Sequence, residues 1–116
     1  MTVLLIVNVV LVLVATGYAA FALFRPAALT AAIGPQTPAG RFSTSMYSIR
    51  GVPLGVVTAV VVLTSFADPS ATRWWLLVAG LVQVGDVILA TRHRMTGMAV
   101  GAGVAAVVHL MTVAVL

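Results

Sequence analysis

Four apolar runs, separated only by short stretches of turn-forming or charged residues, fill the 116-residue chain almost completely. A hydrocarbon core of roughly 30 Å is crossed by about 20 helical residues. The pattern therefore predicts an all-α membrane protein, a single bundle of four transmembrane helices with no soluble domain between them. Composition agrees: at 62% hydrophobic and 7% charged residues, the chain lacks the polar surface that a water-soluble domain of this size needs.

The first run, about residues 3–24, is interrupted by Asn8, Thr16, Gly17 and Tyr18. It lacks a positive leading segment and three similar runs follow it, so it is read as a retained span and not as a cleaved leader. Residues 25–42 hold Pro26, Gly34, Pro35, Pro38 and Gly40, a density of breakers that ends the helix and forms the longest loop. Within that loop Pro26 suits a first helical turn and Leu29 lies one turn before Ile33, which predicts a short interfacial helix. The second span, about 45–66, carries Arg50 and Pro53. The stretch Ala67-Asp68-Pro69-Ser70 reads as a tight turn, with Ser70 or Thr72 as the next helix cap. The third span, about 74–90, opens on Trp74 and Trp75, whose rings favour a membrane interface, and is short enough to stand nearly upright. After the basic turn Arg92-His93-Arg94, the fourth span, about 97–116, has His109 as its one ionisable side chain.

The net charge of +4 comes from six arginines against two aspartates. On a chain embedded in lipid, such charge sets orientation, and no basic run with interleaved aromatics points to nucleic acid as a partner. Arg25, Arg41, Arg92 and Arg94 flank the first and third loops, while Arg73 near the second is offset by Asp68. The positive-inside rule then puts the basic loops in the cytoplasm and both termini outside. A chain rich in Ala, Val, Gly and Arg and free of Lys points to a GC-rich genome and a bacterial inner membrane. With no cysteine, disulfides, thiol catalysis and thiolate metal sites are excluded. Gly51, Gly55 and Ala59, and again Gly97, Gly101 and Ala105, line single helix faces where backbones approach closely. Packing within the monomer is the first reading of these faces, and a homo-oligomer the second.

Ionisable residues inside a span are costly, by about 2.5 to 3.5 kcal/mol each on insertion scales, and mark candidate sites. Arg50 lies five residues after Ser45 and Asp86 five before Thr91, so both sit about 7 to 8 Å below the cytoplasmic boundary. Matched depth predicts that they face each other inside the bundle, either as a structural ion pair or as a site. Gln83 is one turn from Asp86 on the same face. His109, about 18 Å from the cytoplasmic side, is either a satisfied inter-helix hydrogen bond or a deeper acid/base group. Metal binding is not expected, because no second ligand is helically spaced from His109. Of the tyrosines, Tyr18 falls at the depth of the Arg50 and Asp86 layer and is the candidate to line a pocket there, whereas Tyr47 lies close to the boundary.

Phe24-Arg25-Pro26, Ile33-Gly34, Arg50-Gly51 with Gly55, Gly85-Asp86 and His109 carry a likeness to a known family. On these residues, over nearly its whole length, the chain resembles the small four-helix membrane proteins of bacteria and fungi catalogued as domain of unknown function 4267. That resemblance implies the architecture and no activity. The length is also similar to that of the small multidrug resistance transporters, but their first-span glutamate has no counterpart here.

The leading functional expectation is a site near the cytoplasmic leaflet for a small amphipathic or lipid-like molecule, formed by Arg50, Asp86, Gln83 and Tyr18. As an enzyme it would use Asp86 as general acid or base, Arg50 as anion stabiliser and His109 as a deeper proton donor or acceptor. Isomerisation or cyclisation would need no cofactor, and none is expected. The alternatives are a proton-coupled transporter acting as a homodimer and a structural accessory subunit.

Overall fold

The computed structural model describes residues 1–25, 37–64 and 67–116, the side chains of Gly40 and Ser43 apart. Helix α1 spans Thr2–Phe24, α2 Pro38–Leu63, α3 Pro69–Arg92 and α4 Thr96–Val115. Each contains a stretch of at least 20 residues that is long and apolar enough to cross a membrane. The short helix expected around Leu29 and Ile33 lies outside the described residues, as do residues 65–66 at the end of the second apolar run.

Two helix starts differ from the expectation. α2 begins at Pro38, seven residues before Ser45. Proline at a first helical position gives up an N–H that has no intrahelical partner, so Pro38 starts the helix instead of prolonging the loop. α3 begins at Pro69, and its cap is Asp68 instead of Ser70 or Thr72: the Asp68 carboxylate accepts the Ala71 backbone N–H at 3.0 Å. With 24 residues α3 is not the short span expected. It ends in a tight reversal in which Met95 N–H donates to Ala90 O at 2.8 Å and Arg94 N–H to Thr91 O at 3.1 Å. Arg94 takes the left-handed conformation (φ 58°) that glycine usually fills at such a helix end.

The helices form two hairpins. α1 packs chiefly on α2 and α3 chiefly on α4, while the α1–α4 and α2–α3 seams are thinner and the diagonal pairs do not pack on each other. Small residues let the hairpins close. A Cβ added at Gly51 would lie 3.3 Å from Ala19 Cβ, and one at Gly55 would collide with Thr16 Oγ1. The Gly51 and Gly55 face is thus packed against α1 within the chain. Gly80 gives α4 the same close approach, for a Cβ there would meet Leu110 Cδ2 at 2.8 Å. Gly97 and Gly101 have no such neighbour.

One end of the square closes on an apolar cluster. Leu5 of α1, Val62 of α2 and Leu76 of α3 are buried together, with Val9, Val113 and Leu116 against them. This terminal end holds both chain termini and the connection between α2 and α3. Exposed Arg25, Arg41, Arg92 and Arg94 mark the opposite, arginine-rich end. The outer surface is apolar, and several polar side chains are buried beside the apolar core. Val10, Leu13, Val60, Leu81, Ile88 and Val107 are among many large apolar side chains facing outward, while Asn8, Thr58, Thr72, His109 and Thr112 are buried.

Candidate functional site

Because the diagonal helices stay apart, the middle of the square is left to a cavity of about 70 Å³, lined by all four helices. α1 contributes Thr16, α2 Tyr47, Arg50 and Thr58, α3 Gln83 and Asp86, and α4 His109. The structure therefore brings Arg50, Asp86, Gln83 and His109 to one cavity. Tyr18 does not join them: it is 52% exposed, and the tyrosine at the cavity is Tyr47. The reason is rotational phase. Thr16 and Ala19 face α2 at Gly55 and Gly51, and Tyr18 is about 100° away from Ala19 around the helix.

At the mouth, toward the arginine-rich end, Arg50 Nη2 lies 3.4 Å from Asp86 Oδ1. The partners are unequally placed, with side chains 60% and 12% exposed. Arg50 is therefore not inside the bundle as expected. More than half of its side chain is exposed, as is common for long basic side chains at the edge of an apolar region. Asp86 is too short for this and stays at the cavity, where that one long contact is its sole side-chain hydrogen bond among the described residues.

At the closed end, the groups are satisfied. Asn8 Nδ2 faces Leu4 O and Val108 O, both at 3.4 Å, and donates to Thr112 Oγ1, whose own hydrogen goes to Val108 O at 2.8 Å. With its nitrogen so engaged, Asn8 turns its oxygen to His109 Nδ1. An amide oxygen accepts, so Nδ1 carries the proton, and in the neutral ring Nε2 is left as an acceptor. Among the described residues Nε2 has no hydrogen-bond partner. Among the described residues the one buried side-chain polar atom without a partner is Ser48 Oγ, so Nε2 opens to the cavity that His109 lines.

Asn8 was missed as a site residue. Its signal was depth, since it lies six residues from the start of α1 and His109 six from the end of α4, each about 9 Å from the terminal end. On the second seam, Trp75 Nε1 donates to Thr58 Oγ1 at 2.9 Å and Thr72 Oγ1 to Val61 O at 3.1 Å. Both seams are thus tied near the terminal end, and toward the arginine-rich end Arg50 and Asp86 alone bridge the hairpins by side-chain hydrogen bonding among the described residues.

The arrangement is a cup with an apolar base, a satisfied polar wall above it, and then Gln83, Asp86 and His109 Nε2 facing the interior. Gln83 makes no side-chain hydrogen bond to protein among the described residues, so its amide needs water or a ligand. The interior, about 70 Å³, is small against the roughly 300 to 1,000 Å³ of sites that swallow a drug-sized molecule. The cup can therefore hold the polar end of a ligand and not its bulk. Among the described residues no three metal-ligating side chains come together. Comparison with protein-family models, with curated proteins and with solved structures gives no match, so function must be argued from this geometry.

Proposed function

We propose that the chain is an integral membrane protein of four spans whose cup binds the polar end of a small amphipathic or lipid-like molecule from the cytoplasmic leaflet. The observation that carries this reading is the cup itself: Gln83, Asp86 and His109 Nε2 face one small interior that is closed below by Leu5, Val62 and Leu76. The apolar outer faces support lipid as the solvent, since an outward surface of this kind has no stable place in water. Four arginines at one end against Arg73 at the other support a mouth in the cytoplasm and termini outside, and the composition rich in Ala, Val, Gly and Arg without Lys supports a bacterial inner membrane. The likeness to domain of unknown function 4267 is part of this proposal and adds no activity to it.

A cup sealed at one end suits binding or catalysis on a bound head better than a continuous path across the bilayer. In the catalytic form, Asp86 exchanges a proton with the bound head, Arg50 neutralises negative charge at the mouth, and His109 accepts at Nε2 while Asn8 holds its Nδ1 proton. Isomerisation and cyclisation are the reaction types this set performs without a cofactor. The proton-coupled transporter draws support from one observation, the division into two hairpins joined by thin seams. The ion pair does little to support a purely structural role, since a single 3.4 Å contact on a side chain 60% exposed holds helices weakly.

Native mass spectrometry of the chain released from its own membrane tests the reading. A bound amphipathic molecule is expected on the native protein and lost in Gln83→Leu, a substitution that breaks no protein hydrogen bond. Native and variant proteins equally free of small molecules would count against the site. For transport, flux driven by a pH gradient in liposomes that survives Asp86→Asn would exclude Asp86 as the coupling group.

A further inference from the structure

The groups that face the cup are unequal in hydrogen-bonding sense, and this points to the chemistry of the head. Thr16 Oγ1 gives its hydrogen to Val12 O at 2.7 Å. Thr58 Oγ1 gives its own to Leu54 O at 2.7 Å while accepting from Trp75. Neither hydroxyl has a hydrogen left for a ligand. His109 Nε2 is an acceptor because Nδ1 holds the proton against Asn8. Asp86, the ion-pair partner of Arg50, accepts through its carboxylate, and its side chain is 12% exposed. Tyr47 and Gln83 serve in either sense, and the pure donor, Arg50, is 60% exposed and at the rim. The interior therefore has an excess of acceptors and a carboxylate whose one protein partner among the described residues sits at the rim.

We propose that the cup takes a primary ammonium group carried on an apolar tail. This rests on the binding reading above and names the class of its ligand. An ammonium brings three donors and one positive charge, so it pairs with Asp86 and keeps N–H groups for the neighbouring acceptors, Gln83 one turn deeper on the same helix first among them. The small volume, about 70 Å³, suits the head and leaves most of the tail outside. A trimethylammonium has no N–H to give the acceptors. A hydroxyl has one hydrogen for several acceptors, and a carboxylate is repelled by Asp86. The tail leaves through the thin α2–α3 seam on the open side of Arg50, where it meets lipid. When the ammonium holds Asp86, Arg50 gives up a long contact and turns to anions at the surface.

Full-length protein in phosphatidylcholine nanodiscs is titrated with n-octylamine, octyltrimethylammonium, 1-octanol, octanoate and, for the tail, ethylamine, with thermal unfolding as the readout. Octylamine is expected to bind at least about tenfold more tightly than the other three octyl compounds, the margin of one charge-assisted hydrogen-bonded pair. Ethylamine is expected to bind more weakly than octylamine, and a matching stabilisation in phosphatidylethanolamine nanodiscs identifies a lipid headgroup as one source. The preference should vanish in Asp86→Asn and shrink in Gln83→Leu, whose fold is untouched by the change. Binding of all octyl compounds with equal strength, or a preference for octanoate, overturns the ammonium assignment and leaves the cup as a binding site. No stabilisation by any of them overturns both.

Discussion

Asn8→Leu is expected to lower the unfolding free energy by about 1–3 kcal/mol, the cost of leaving buried polar groups without partners. Asn8 touches three groups of α4, namely Thr112 Oγ1, Val108 O and His109 Nδ1, and it is completely buried. Leucine removes all three contacts while the imidazole stays where it is. Because this cluster ties the α1–α4 seam, the loss falls on the joint between hairpins and not within one. A double-mutant cycle with His109→Leu should return part of the loss, since the second change removes the group left stranded. Denaturant titration in mixed micelles measures all three variants, and strictly additive effects would show that Asn8 and His109 do not depend on each other.

Gly55→Val should be at least as damaging, by about 1–3 kcal/mol from overpacking. An added Cβ at Gly55 strikes Thr16 Oγ1 and lies 3.1 Å from Thr16 Cβ, and rotation of the threonine exchanges one collision for another because its Cβ is branched. The strain is relieved by moving α1 away from α2, the joint that makes the first hairpin. Gly97→Val is the matched control, with nothing within 4 Å of the new carbon. The same titration should find the control within about 0.5 kcal/mol of the parent, and equal losses at both positions would contradict the packing described.

The four helices were readable because apolar length is a strong signal, and the depth match of Arg50 with Asp86 followed from counting along two helices. What resisted reading was rotation. α1 is apolar all round, so periodicity gives no inward face, and Tyr18 was placed by depth when its azimuth excludes it. The same counting that paired Arg50 with Asp86 also pairs Asn8 with His109, but Asn8 counted only as an interruption of an apolar run. Pro38 and Pro69 carry two meanings, breaker and first-turn residue, and the choice depends on what precedes them. Asp68 before Pro69 was the clue to the second. The extent of Arg50 outside the bundle follows from the thin α2–α3 seam, a packing property with no local trace in the chain.

The proposed polar cup opens on the arginine-rich end of the four-helix bundle and is closed toward the termini. The chain has no cysteine, so single cysteines report without background. Gln83→Cys, Leu76→Cys and Val62→Cys are each exposed, in right-side-out and in inverted membrane vesicles, to a cationic, membrane-impermeant methanethiosulfonate. Cysteine at 83 is expected to react in inverted vesicles alone, and cysteines at 76 and 62 in neither. Reaction at 83 from the side of the termini, or at 76 and 62 as readily as at 83, would contradict the cup.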